Sequence, residues 1–168
     1  MTQIRKGFSL IELIIVITVI VILSASIFVY IGAYKKINLD AGASKLASDI
    51  RYAQNLAMST SSWCGISFEV SPQNVYSIYT TTGTIDSLMT DPSDFSRDFT
   101  VNTFSKFGIS ISSVSISGGK KIEFNPMGQP YADKTGSILT TDSAITLTLS
   151  SSSKVIRITP NTGQVTVQ

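Results

Sequence analysis

Residues 13–34 form a run of 22 positions without a charge, dominated by Ile and Val. At about 1.5 Å per helical residue the run would reach roughly 33 Å, close to the roughly 30 Å hydrocarbon core of a bilayer. β-Branched residues such as Ile14, Ile15, Val16, Ile17, Val19, Ile20, Val21 and Ile22 would favour a strand in water, but a strand of that length is foreign to globular proteins. In lipid the backbone must satisfy its own hydrogen bonds, so the pattern predicts a membrane-spanning helix. Lys35 and Lys36 close the run. Leu39, Ala43, Leu46, Ile50, Ala53 and Ala57 then recur at alternating spacings of four and three, one apolar stripe of an amphipathic helix over about 38–59. A stripe of this width predicts packing on the chain's own domain. Lys45 and Asp49 stand four apart on another face and read as solvated charges.

After Met58 the pattern changes: 37 of the 110 remaining residues are Ser or Thr, and short alternating apolar segments replace helical spacing, which predicts antiparallel sheet. Ile66 and Phe68 alternate, Ser71 to Asn74 supplies turn residues, and Val75, Ile78 and Tyr79 follow, so a hairpin is expected. Later strands should centre on residues 122–124, 145–149 and 155–158, with a turn over 160–163 sending Val165 and Val167 back as the last strand. The four serines from Ser150 to Ser153 read as a loop. The expected class is α+β: a long N-terminal helix packed on a β-rich domain of two sheets.

Composition narrows the function. The chain of 168 residues is 43% hydrophobic and 14% charged, with a formal charge of +2, too slight for the electrostatic footprint of a basic nucleic-acid binder. One Cys and no His exclude an internal disulfide, His-based zinc sites, Ser-His-Asp triads and Cys-His pairs. No enzymatic activity and no cofactor are expected.

The order of features at the N-terminus departs from a secretory signal, whose small cleavage-site residues follow the apolar region. Here Arg5, Lys6 and Gly7 precede Phe8-Ser9-Leu10-Ile11-Glu12 and the apolar run. Cleavage after Gly7 would remove two of the 13 basic residues, leave basic and acidic residues in balance, and keep the apolar helix as an anchor. Glu12 is an ionisable group at the edge of that helix, costly in lipid unless paired. Either it pairs with the new amino group at Phe8 of a neighbouring copy, or it rests in interfacial water near the helix start, where the dipole favours it.

The stretch Lys6-Gly7-Phe8-Ser9-Leu10-Ile11-Glu12-Leu13 with the apolar run behind it resembles the leader junction of type IV prepilins and type II secretion pseudopilins. That resemblance implies cleavage between Gly7 and Phe8 by a prepilin peptidase, N-methylation of Phe8, and use of Glu12 to register the subunit in a filament. It also implies a leader at 1–7, a transmembrane and filament-core helix at 8–34, and a periplasmic domain at 35–168, β-rich from 63. The N-terminus would be cytoplasmic, which charge alone does not decide, since two basic residues flank each end of the run. Many major pilins carry Gly and Pro within this helix; Val21 and Val29 stand in the comparable places, and no proline precedes Pro72, so no proline kink is expected.

Residues 45–57 further resemble the helix of H-type minor pseudopilins and FimT-type minor pilins, and 122–128 and 156–165 resemble strand and turn segments of the same domain. The resemblance implies a minor pseudopilin of the type II secretion pseudopilus tip, in the inner membrane before extraction into the filament, with other pseudopilins and exported substrates as partners. The alternative is a minor type IV pilin in pilus priming, adhesion or DNA uptake. FimT-type pilins can capture DNA through arginines near the C-terminus. Gly163-Gln164-Val165-Thr166 occupies that place here, leaving scattered Lys120, Lys121, Lys134, Lys154 and Arg157, so DNA is not an expected partner.

Three minor features complete the reading. Asp86, Asp91, Asp94 and Asp98 offer oxygen ligands for calcium, but their spacing is not that of an EF-hand, and solvated acids in a polar loop are the preferred reading, with no metal expected. Cys64 beside Trp63 reads as a small buried hydrophobe. Gly118-Gly119-Lys120-Lys121 lacks the spacing and the Ser or Thr of a phosphate loop and reads as a turn.

Overall fold

The computed structural model describes residues 9–117 and 119–168, with side chains for all of these except 25–33. The long helix α1 (Leu10–Thr60) precedes β1 (Trp63–Glu69), β2 (Val75–Thr81), β3 (Asp86–Leu88), β4 (Thr90–Asp91), β5 (Asp94–Asp98), β6 (Thr100–Asn102), the short α2 (Thr103–Phe107), β7 (Ser110–Ser115), β8 (Lys121–Phe124), β9 (Pro130–Tyr131), β10 (Ser143–Leu149), β11 (Ser152–Ile158) and β12 (Val165–Val167). Contacts divide the chain into two units, Met1–Lys36 and Ile37–Gln168.

In the second unit, Leu39, Ala43, Leu46, Ile50, Ala53 and Ala57 are all buried, at 3% exposure or less. The stripe joins one core with Ile66, Phe68, Tyr76, Ile78, Ile122 and Phe124 of one sheet and Ile111, Ile145, Leu147, Ile156 and Ile158 of another. The first sheet runs β3-β2-β1-β8-β9, with β6 also on β2; the second runs β12-β11-β10-β7. Every pairing is antiparallel, and the expected hairpin forms from β1 and β2, with Ile66 opposite Ile78 and Glu69 opposite Val75. Two departures from the sequence reading concern the β region. A third, two-stranded ribbon, β4–β5, joins the two expected sheets. The loop expected from Ser150 to Ser153 is shorter, because Ser152 and Ser153 already pair with Leu149 and Thr148 and the reversal falls on Ser150, at φ 57°.

A larger correction concerns Asp49. It is buried at 5% exposure, ion-paired with Lys45, and accepts a hydrogen bond from the Tyr76 hydroxyl at 2.6 Å. The pair that read as solvated thus anchors the helix to β2. Burial, followed by the charge and the bond of Asp49, raises the Tyr76 hydroxyl well above the ordinary tyrosine value. Further along the same helix Arg51 donates to the Val165 carbonyl, and Gln54 Nε2 donates to the carbonyls of Gly128 and Thr162. Gly163, at φ 67°, makes this approach possible: a Cβ there would press on Gln54 Nε2, the Gly128 carbonyl and Phe124.

On the other face of the first sheet Glu123 is fully buried, and its carboxylate accepts from the Tyr79 hydroxyl, Lys121 Nζ and the Lys134 amide. Lys121 also bridges to Asp133 at 2.7 Å, while Lys134 Nζ lies over the Trp63 ring, which meets Tyr131 edge-on. Burial and then the bond to Glu123 raise the Tyr79 hydroxyl above its ordinary value. Partial burial alone would lower Lys121, but its bonds to Asp133 and Glu123 raise it. Hydrogen bonds from Lys121 and then Thr135 hold the Asp133 carboxyl down at about 2.

Ile50→Ala is expected to lower the unfolding free energy by about 2–5 kcal/mol through the cavity it leaves, measured by denaturant titration of the full chain. Because the folded Asp133 value lies below the usual carboxylate value of about 4, its stabilisation is present above that pH and is lost as pH falls towards 2. Thermal melting should therefore show a shallower decline over this acid range in Asp133→Asn than in the parent.

Candidate assembly site

The residues singled out for processing, Gly7 and Phe8, lie outside the described residues. Glu12 occupies the first turn of α1, where the Leu13 amide closes the opening hydrogen bond onto the Ser9 carbonyl and the dipole favours a carboxylate. The side chains around it face outward: the large apolar residues from Leu10 to Leu23 are 47% to 76% exposed. Thr18 within that stretch and Ser24 just after it return their hydroxyls to the carbonyls of Ile14 and Ile20, so neither needs an outside partner.

From residue 9 to residue 24, Glu12 is the one charged side chain on a helix with apolar residues all round. Such a surface is unfavourable in water and suits lipid or a bundle of similar helices. In either setting an opposite charge on a neighbour lowers the cost of Glu12. Among the described residues no helix is long and apolar enough to cross a membrane, and the span expected at 13–34 includes side chains, at 25–33, outside the described set.

The other sequence candidates are dispersed or already engaged. Lys121 is held by Glu123 and Asp133, Lys154 by Asp40 at 3.4 Å, and Arg157 Nε by Gln168. Asp91 binds Ser93, and Asp94 binds Ser96 and Arg97; hydrogen bonds from these serines, first in effect, lower both carboxyls. No group of three metal-ligating side chains occurs among the described residues. Cys64 is fully buried, and burial raises its thiol above the ordinary value. The reversal read at 118–121 has Gly118 outside the described residues, while Gly119 bridges to Ile116.

Sequence reasoning missed Gln54, Arg51 and Glu123 as fixing points. The one signal for Gln54 was a pair of similar segments, Ile122-Glu123-Phe124-Asn125-Pro126 with Gly128-Gln129 and Ile156-Arg157-Ile158-Thr159-Pro160 with Gly163-Gln164, whose turns both dock on it.

Residues 3–28 match the family described as the prokaryotic N-terminal methylation motif. Two crystal forms of the type IV minor pilin FimU of Pseudomonas aeruginosa are similar in fold, each with 14% sequence identity. One covers 79% of this chain and 90% of its own, with a TM-score of 0.53; the other covers 77% and 92%, with a TM-score of 0.51. No curated protein matches the chain. A methylation motif at the N-terminus and the fold of a minor pilin behind it support the chain's place in the type IV pilin and pseudopilin superfamily.

Proposed function

We propose that this chain is a minor type IV pilin, a structural and non-enzymatic subunit of a pilus. The observation that carries this reading is the fold likeness to a minor pilin over most of both chains, joined to the methylation motif at 3–28. A prepilin peptidase would cut between Gly7 and Phe8, the new amino group of Phe8 would be methylated, and the apolar helix would hold the subunit in the inner membrane. The N-terminus would face the cytoplasm and the β-rich domain the periplasm until extraction into the filament. There Glu12 would pair with the Phe8 amino group of a neighbouring subunit, since two opposite charges enter an apolar bundle at less cost than one. Other pilins are the partners this reading requires.

A second reading, a minor pseudopilin of H type in type II secretion, draws on the resemblance at 45–57, 122–128 and 156–165. Both readings share the processing and the assembly chemistry. Deleting the gene separates them: loss of surface pili with normal export of secreted proteins supports the pilin, whereas secreted proteins retained behind the outer membrane with pili intact would overturn it in favour of the pseudopilin. Glu12→Ala should leave the β-rich domain folded and reduce recovery of the subunit in sheared filaments; undiminished recovery would refute the pairing role.

A further inference from the structure

We propose that this chain pairs with a second copy of itself by exchanging Phe95: the aromatic ring on each β4–β5 ribbon enters the apolar cleft beside Trp63 of the other copy. Phe95 is 84% exposed, more than any other large apolar side chain among the described residues. The ribbon holds it out. Thr90 lies opposite Asp98 and Asp91 opposite Asp94, so Phe95, Ser96 and Arg97 form a bulge with no partner on β4, and a bulge of this kind re-aims a side chain. Local bonds set its shape, from Ser93 to Asp91 and from Ser96 and Arg97 to Asp94. At the base the Phe99 amide bonds to the Met89 carbonyl, and the Met89 amide and the Phe99 carbonyl pair with Ile78. A ring on such a support loses little freedom on docking, which suits it to act as an anchor.

The same chain carries a cleft of matching size and chemistry. It measures about 290 Å³, has Leu56, Trp63, Ile85, Ser87 and Met89 in its lining, and is lined by no charged residue. An apolar cavity of about 150 Å³ admits a benzene ring, so the cleft has room for a phenyl group, and the Trp63 ring offers it an aromatic partner. Met89 belongs both to the cleft and to the base of the ribbon, and Phe95 is only six residues further along, so ring and cleft lie within roughly 20 Å of each other on one chain. A two-fold axis between two copies then lets each give and receive at once, a closed contact that does not propagate. Charge supports the same exchange. Lys134 Nζ lies over the Trp63 ring, and among the described residues no carboxylate forms an ion pair with it; Asp91 and Asp98 on the ribbon are likewise without one. Lys106, beside these two acids, and Asp86, next to Ile85, are also without an ion pair and have the opposite signs, so the exchanged surfaces match a second time.

Trp63 is the only tryptophan of the chain and lines the cleft, so its emission reports occupancy. The full-length Phe95→Ser chain keeps the cleft and Trp63 but lacks the ring; the full-length Trp63→Phe chain keeps the ring and has no tryptophan. Titrating the second into the first in non-ionic detergent should give a saturable blue shift of Trp63 emission as water leaves the cleft. The same titration with a chain carrying both Trp63→Phe and Phe95→Ser controls for association through the apolar helices and should leave the emission unchanged. Lys134→Glu and Ser87→Arg in the receiving chain, one reversing the charge over Trp63 and the other placing a cation in the cleft, should each raise the midpoint about tenfold or more. Absence of a shift with the ring-bearing chain would overturn the exchange and leave the cleft to a partner other than this chain. An equal shift with the doubly substituted chain, or a midpoint indifferent to either Lys134→Glu or Ser87→Arg, would overturn it as well.

Discussion

The β-rich unit depends on one helical face. Ala43, Ala47, Ala53 and Ala57 let the sheets approach the backbone of α1, while Leu46 and Ile50 fill the space between them. The polar residues beside that face act as ties to separate elements: Asp49 reaches β2 through Tyr76, Arg51 reaches β12, and Gln54 holds two turns from different sheets. Apolar burial supplies the driving force, and these hydrogen bonds fix where each sheet sits on the helix. Among the described residues neither sheet has another helix of comparable length to bury its inner face against.

Periodicity made the helix and most strands legible because each buries one face, and burial imposes spacings of three and four or of two. The stripe from Leu39 to Ala57 and the strands at Ile122, Ile145 and Ile156 follow this rule. What depends on distant partners was not legible. Lys45 and Asp49 look like an exposed helical pair until Tyr76, 27 residues away, is brought over them. Glu123 lies between the buried residues Ile122 and Phe124, and its place is explained only when Tyr79, Lys121 and the backbone at Lys134 converge on it. The β4–β5 ribbon has no inner face and buries little, so alternation gave no sign of it.

The candidate site shows the opposite balance. Its chemistry is local, a charge-free run with one carboxylate near its start, and so was open to reading from the order of residues at the N-terminus. The described part of the helix adds that its large apolar side chains from Leu10 to Leu23 are exposed and that the hydroxyls of Thr18 and Ser24 are satisfied by carbonyls of the same helix. An apolar surface of that kind, on a chain whose other unit has a complete core of its own, is a surface for lipid or for other subunits. The β-rich unit would then supply what differs between subunits, its exposed edges and loops.

Mass spectrometry of the chain recovered from sheared surface filaments tests the central claim most directly. A species comprising residues 8–168 with one methyl group on the Phe8 amino group is the predicted result. A chain that begins at Met1, or filaments that contain none of it, would contradict the account.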